Sequence, residues 1–245
     1  MKVISNFDLS CLTILYSKKW LWTLKAIILA GGRGKRLKPI TDFVPKPLVP
    51  IKNIPIIEWQ IKYLKKFNVS EVIICTGYKT KMIENHFKMK KMGIKIKYSI
   101  EKFPLGTGGA IKKAGKMINE KSFFVINGDT ITNIDLNKLQ KKQNSIAAIE
   151  LRTQYGILET KDDKILKFKE KKEISDTWMN AGIYYLQKEV LRELPVKGDI
   201  EKTLFPDYAK KGKLNTIKFK NTKWYSVDSF KDMEECSLEI EKIIK

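Results

Sequence analysis

Apolar runs broken by glycine and polar turns set the rhythm of this chain from residue 25 onward. Residues 25–30 (KAIILA) are continuously apolar after the lysine, as a strand buried on both faces is, and they run into a glycine-rich stretch at 31–38. Asn53 and then Pro55 read as the N-cap and first turn of a helix whose inward positions are Ile57, Ile61, Leu64 and Phe67. The same reading places a buried strand at 71–76, a helix at 80–91, a half-buried strand of period two at 94–100, a helix at 107–118 and a buried strand at 122–126. That last strand ends in Asn127-Gly128-Asp129. Strands alternating with helices at this spacing predict βαβ units, and hence a Rossmann-like α/β fold of three layers around a mixed, mostly parallel sheet.

Beyond residue 143 the pattern changes. Strands are expected at 145–152, 156–160 and 164–169, joined by brief turns that suit an antiparallel section, with a further strand at 179–186. Helices are expected near 188–194 and 200–210, and an amphipathic helix closes the chain at 230–244. No internal repeat or Pro/Ser-rich linker interrupts this, so 25–245 reads as one domain with a parallel half (25–143) and a mixed half (144–245). Residues 1–24 stand apart. Their apolar run at 9–16 is followed by Lys18, Lys19, Trp20 and Trp22, without the long apolar core and small-residue cleavage site of a signal peptide. An extra helix or an upstream extension of the true start both account for it.

Composition narrows the chemistry. Hydrophobic residues make up 43% of the 245, enough for a substantial core, and no run approaches the 18 apolar residues of a membrane span. Cys11, Cys75 and Cys236 are far apart and form no CxxC pair, which points to a reducing, cytoplasmic setting rather than a disulfide framework or thiolate metal site. His86 is the single histidine, so a multi-histidine centre is impossible, and a Ser-His-Asp triad would lack its nucleophile elbow. The net charge of +21 invites an anionic partner, yet lysines supply it from end to end and only Arg33, Arg36, Arg152 and Arg192 are arginine. Dispersed lysine reads as a solvated surface; a partner bearing several phosphates is the sharper alternative, and a nucleotide satisfies it without a polymer.

Two of those four arginines fall in one loop, LAGGRGKRL at 29–37, which is followed by Pro39, Thr41 and Pro45-Lys46-Pro47. Gly31, Gly32 and Gly34 let the backbone curl so that its N–H groups face a phosphate, although a plain strand-to-helix turn uses glycine in the same way. Neither the Rossmann fingerprint nor a Walker loop fits, because no Gly-Lys-Ser/Thr opens a helix here. Arginine grips phosphate bidentately where lysine is a point charge, so the placement of Arg36 favours the phosphate reading. Lys46, between two prolines, is expected in an extended segment within reach of the same phosphates.

With this loop and its Pro-Lys-Pro segment, the chain from about residue 25 to the end resembles the sugar-1-phosphate nucleotidyltransferases, which have the nucleotide-diphospho-sugar transferase fold. The later motifs follow in that family's order. Glu101, Leu105 and Gly106-Thr107-Gly108-Gly109 would border the nucleobase, with backbone around Leu29, Ala30 and Gly31 sharing the task; by themselves these glycines are equally a turn into a helix. The form PLGTGGA looks most like guanylyltransferases acting on mannose or heptose 1-phosphate. Asp129, at the carboxyl end of a buried strand, is on its own either an N-cap or a ligand-facing residue. The resemblance makes it a Mg²⁺ ligand with Asp228 as partner, although Ser229-Phe230-Lys231 replaces the family's usual Gly-Thr-Pro after that aspartate.

Tyr155, Gly156, Glu170, Lys171 and Asn180 are implied in the same way as the sugar-phosphate pocket, where Glu170 meets sugar hydroxyls and Lys171 the phosphate. Taken as bare residues, Glu170 and Lys171 are an exposed charged pair. The resemblance thus implies a nucleoside triphosphate and a sugar 1-phosphate as partners, with 25–143 holding the first and 144–245 the second. Catalysis would rest on Arg36, Lys46, Asp129 and Mg²⁺. No membrane or sequence-specific nucleic acid is expected, since no RRM, zinc-finger or helix-turn-helix signature accompanies the charge; self-association into a homo-oligomer stays open. Rivals are uridylyl, adenylyl or thymidylyl transfer to glucose 1-phosphate and a non-catalytic regulatory homologue.

Because every motif begins after residue 24, a chain starting at Leu24 is expected to fold and bind nucleotide. Thermal melting checks this: loss of a cooperative transition in the shortened chain alone would make residues 1–23 structural.

Overall fold

The computed structural model describes residues 24–153, 155–170 and 173–244. Strand β1 (Leu24–Leu29) enters the glycine loop, and a small ribbon of β2 (Pro50–Ile51) and β3 (Ile54–Pro55) delivers helix α1 (Ile56–Lys66). Then come β4 (Val69–Thr76), α2 (Thr80–Lys88), β5 (Lys95–Ile100), α3 (Gly106–Gly115), β6 (Ser122–Asn127) and the short β7 (Thr130–Thr132). The second half holds β8 (Ser145–Arg152), β9 (Ile157–Lys161), β10 (Lys164–Lys169), the long β11 (Glu173–Gln187), α4 (Leu204–Lys210), β12 (Asn215–Phe219), β13 (Trp224–Ser226) and α5 (Phe230–Ile243). None of the described helices is long and apolar enough to cross a membrane.

Seven strands form the central sheet in the order β12-β8-β11-β6-β1-β4-β5. Pairing is parallel from β6 through β1 and β4 to β5, antiparallel on both sides of β11, and parallel again between β8 and β12. One strand of the seven is therefore reversed. The period of two explains the layers: Ile28, Ile74 and Ile126 point into one core with Ile57, Ile61 and Leu64 of α1 and Phe87 of α2. Ile27, Ile73 and Val125 point the other way, against Ile111 of α3 and Phe205 and Tyr208 of α4. Each such fully buried side chain contributes about 1.5–3 kcal/mol relative to exposure. A third cluster packs Cys236 and Ile240 of α5 on Trp59, Ile131 and Val227, tying the last helix to the β2–β3 ribbon.

Two buried carboxylates brace the first half. Glu58 of α1 is 1% exposed and faces His86 of α2 at 2.7 Å and Lys90 at 2.6 Å, so the single histidine is engaged in helix packing. Glu71 of β4 meets Lys25, Lys95 and Lys97 at 3.0–3.3 Å across three neighbouring strands. Burial alone would raise the Glu71 pKa, but hydrogen bonds from the three lysines outweigh it and hold the carboxyl below its ordinary range.

The structure amends several expectations. Asn53 does not cap α1: Lys52 and Asn53 both have positive φ (47° and 62°) and make the turn of the β2–β3 ribbon, leaving Pro55 to start the helix without a side-chain cap. Lys46 is not extended, because Lys46–Leu48 wind into a 3₁₀ turn whose N-cap, Pro45, keeps the extended φ and ψ. The helix expected at 200–210 is broken at Thr203 (φ −118°, ψ −85°), and the one at 188–194 shrinks to Val190–Glu193. The antiparallel section is β11 within the main sheet plus a separate β9–β10 hairpin. Edge strand β12, polar and short, had no strong sequence signal.

Replacing Glu71 by Gln is expected to destabilise the fold by on the order of 1–3 kcal/mol at neutral pH, since one carboxylate serves three ammonium groups. The folded pKa is depressed, so the contribution is whole above the unfolded carboxyl's value near about 4.3 and is lost as pH falls through the lower folded value. Urea titrations of both proteins from pH 7 to pH 3 should converge at the acid end; a constant difference would contradict the assignment.

Candidate active site

The loop after β1 is shaped by what must come close to it. Ala30 N–H donates to the Cys75 carbonyl (2.9 Å), and Gly34 turns left-handed at φ 62°. A Cβ on Gly34 would stand 2.9 Å from that of Lys46, so the glycine is what lets the Lys46 segment press against the loop. The Gly34 carbonyl accepts from Leu37 N–H (3.0 Å) and from the Thr41 hydroxyl (2.9 Å), fixing the turn that carries Arg36.

Lys46 joins the far side of the site. Its ammonium lies 2.8 Å from Asp129 Oδ2 and 2.6 Å from Asp228 Oδ1, while Arg36 Nη2 lies 2.9 Å from Asp228 Oδ2. The carboxylates are neighbours because Asp129 sits in the turn between β6 and β7, and β13 pairs antiparallel with β7 just before Asp228. Val227 N–H donating to the Asp129 carbonyl (3.0 Å) closes that ribbon. The residues that replace Gly-Thr-Pro form a helix start: Ser229 is the N-cap of α5 in a capping box with Asp232, whose Oδ2 also accepts from Asp228 N–H. Asp228 is thus held rigidly. Burial would raise its pKa, but the hydrogen bond and charge of Lys46, with the charge of Arg36, keep it below the ordinary aspartate value.

Glu101 closes the other end. It follows β5, its N–H donating to the Thr76 carbonyl, and its Oε2 accepts from Leu105 N–H at 3.0 Å. Oε1 lies against the loop, where a Cβ on Gly31 would come within 2.9 Å of it. Burial raises the Glu101 pKa against the opposing Leu105 N–H and Lys113. A cavity of about 720 Å³ runs from Glu101 past Gly31, Gly32, Gly106 and Thr107 to Asp129. It abuts a smaller one of about 250 Å³ lined by Leu29, Ala30, Gly34, Arg36, Lys46 and Asp228. All ten residues read from the sequence as nucleotide-binding line these two cavities.

The acceptor residues are distributed differently. Tyr155, Gly156 and Glu170 are exposed on or beside the β9–β10 hairpin, Gly156 against the Phe168 ring, and line neither cavity; Lys171 lies outside the described residues. Asn180 is on β11 at the sheet edge that carries Asp129, its Oδ1 accepting from Gly182 N–H (2.8 Å) and its Nδ2 donating to the Tyr184 hydroxyl (2.9 Å). Sequence reasoning missed Asn127 and Asp199, which line the larger cavity, and Tyr78, whose ring faces the Arg33 guanidinium at 5.8 Å. Gly77 at the end of β4 was the available signal, since it mirrors Gly31 at the end of β1.

Among the described residues no group of three or more His, Cys, Asp or Glu is placed to hold a metal ion alone. Asp129 and Asp228, however, direct oxygens at one point, where the Lys46 ammonium supplies positive charge. Two hard carboxylates with room for phosphate oxygens fit Mg²⁺, which is usually held by one or two carboxylates and the substrate.

The profile of the nucleotidyl transferase family matches residues 25–243. D-glycero-alpha-D-manno-heptose 1-phosphate guanylyltransferase of Aneurinibacillus thermoaerophilus is 42% identical over 175 residues, covering 68% of this chain and 76% of that protein. The enzyme of the same name from Campylobacter jejuni is 41% identical over 194 residues, 76% of this chain and 87% of its own. Among solved structures, HddC from Yersinia pseudotuberculosis complexed with GMP-PN superposes with a TM-score of 0.69 at 29% identity, covering 88% of this chain and 99% of that one. With the loop, the paired aspartates and the sheet order already in place, these matches settle the assignment: the chain belongs to the nucleotidyl transferase family and is a sugar-1-phosphate nucleotidyltransferase.

Proposed function

We propose that this enzyme transfers GMP from GTP to heptose 1-phosphate or mannose 1-phosphate, releasing pyrophosphate, with Mg²⁺ as cofactor and the cytoplasm as its setting. Glu101 carries the base assignment. A half-buried carboxylate offers only acceptors, and guanine is the base that presents two adjacent donors, N1–H and the N2 amine, on one edge. Uracil and thymine set a single N–H between two carbonyls, and adenine and cytosine set an acceptor beside their amine, so each opposes a carboxylate with like polarity. The guanylyltransferase names of the two relatives agree with this reading.

The triphosphate then lies along the 31–36 loop toward Arg36 and Lys46. Bound between Asp129 and Asp228, Mg²⁺ would supply charge neutralisation at the phosphates. Lys46 leaves its carboxylate partners to meet phosphate oxygens, and Arg36 grips them bidentately. Asn180, Tyr155, Gly156, Glu170 and Lys171 hold the sugar 1-phosphate so that its phosphate oxygen attacks the α-phosphorus in line and pyrophosphate leaves opposite. No covalent intermediate is required.

Asp129→Asn keeps shape and removes charge, so kcat should fall by about a hundredfold or more while circular dichroism is unchanged. Asp228→Asn should behave alike, and Arg36→Lys should lower kcat/KM because a point charge replaces a fork. Steady-state pyrophosphate release across Mg²⁺ concentrations measures all three; a folded Asp129→Asn protein turning over at the wild-type rate would sink the scheme.

Calorimetry with GTP, UTP, ATP, CTP and dTTP tests the base. GTP should bind most tightly, and Glu101→Gln should weaken it about 5- to 150-fold, the range of one bidentate pair. Wild-type GTP affinity should also decline as pH drops through the raised Glu101 pKa, because protonation removes an acceptor, whereas the Gln variant should not follow that titration. Tightest binding of a pyrimidine triphosphate would overturn the guanine assignment.

A further inference from the structure

The mechanism leaves one side-chain chain unused, and it spans the gap between the two substrates. Glu201, half-buried in the short 3₁₀ turn after the 195–199 loop, receives two hydroxyl donors: Thr107 at 2.5 Å on Oε2 and Tyr184 at 3.0 Å on Oε1. Thr107 also accepts from Ile200 N–H at 2.9 Å, so the nucleotide-side helix start and the Glu201 turn are locked together. Gly108 and Gly109 N–H groups add to this by donating to the Gly198 carbonyl. On the other side, the Tyr184 hydroxyl accepts from Asn180 Nδ2, and Asn180 Oδ1 accepts from Gly182 N–H. Tyr184 is 0% exposed with its ring edge on Phe205, so it has no freedom to turn away.

The polarity of this chain is determined throughout. A carboxylate can only accept, so Thr107 and Tyr184 must donate to it. With its proton committed to Glu201, the Tyr184 oxygen must accept, which selects the amino end of Asn180 and turns its carbonyl toward Gly182. Burial and the Glu201 charge both keep the Tyr184 phenol protonated, as a donor has to be. The carboxylate at the centre and the Gly182 N–H at the end therefore set the same orientation for the Asn180 amide.

The geometry points to Glu201 as a positioning residue that couples the two subsites: nucleotide settling on residues 101–107 fixes Thr107, and through Glu201 and Tyr184 this orders Asn180 for the sugar 1-phosphate. The inference rests on the placement of nucleotide and acceptor given above. It predicts ordered use of substrates, with the acceptor site completed by the nucleotide, and it gives Glu201 and Tyr184 a role without contact to either substrate.

The Gly182 amide proton is a direct reporter, because it bonds to the Asn180 side chain. Its exchange, followed by NMR with and without GTP and Mg²⁺, should slow at least about fivefold in the wild type, the lower end of usual coupling between sites. In Glu201→Gln and in Tyr184→Phe the slowing should fall below about twofold, while the GTP dissociation constant moves less than about threefold. In turnover assays both variants should raise the KM for the sugar phosphate more than they lower kcat. Tyr184→Phe removes a single oxygen from a packed ring and decides the matter if the Gln variant does not fold. GTP that protects residues 101–107 but leaves Gly182 unchanged in the wild type, or protects Gly182 equally in folded variants, overturns the relay alone. GTP that fails to protect 101–107 overturns the nucleotide placement and the relay together.

Discussion

Lys46 holds its ammonium between two carboxylates far apart in the chain, one near its middle and one near its end, and much of the architecture is arranged to make that meeting possible. The Asp129 turn follows the fourth parallel strand of the sheet, while Asp228 arrives ninety-nine residues later on a separate ribbon. Two like charges at this separation repel strongly in a half-buried site unless a cation stands between them. The lysine fulfils that need in the protein alone. Under the function proposed above, a metal ion held by the two aspartates would fulfil it when substrate binds, and the lysine would be free for phosphate. Gly34, the β7–β13 ribbon and the capping box on α5 are all explicable as devices that keep these three side chains in register.

The same geometry explains how the overall charge is used. A dispersed lysine surface attracts polyanions without discrimination, whereas in the function proposed above the selective work would fall to a few cations whose carboxylate partners hold them in place. Arg36 is largely exposed yet anchored to Asp228, and Lys46 is largely buried and doubly anchored. The second buried cluster, around Glu71, uses three lysines for the opposite purpose, stapling parallel strands together far from any substrate.

Legibility in the sequence followed the range of the interactions concerned. Buried parallel strands announce themselves as short apolar runs; the loop and Asp129 lie at the ends of such runs and Glu101 at the end of an alternating, half-buried strand, so their clustering at one sheet edge followed from topology. Asn53 was misread because an Asn before a Pro-started helix looks like a cap, while the type of turn it makes depends on the ribbon partner two residues away. Lys46 was misread because a residue before proline favours extended backbone, a preference that the local hydrogen bonds of the 3₁₀ turn override here. Glu201 carries no local signal at all: its meaning lies in contacts with Thr107 and Tyr184, ninety-four and seventeen residues away.

The β9–β10 hairpin leaves the sheet from β8 and returns into β11, and those two strands pair directly with each other. Its departure and re-entry points are therefore adjacent, and the hairpin makes its own ladder without borrowing from the main one. Changing its length alters only a loop closure, which costs about 0.6 kcal/mol per doubling. Such an appendage is a natural cassette: if the acceptor residues proposed above sit on it, altering this one excursion would exchange acceptor preference while the strands beneath it carry on unchanged.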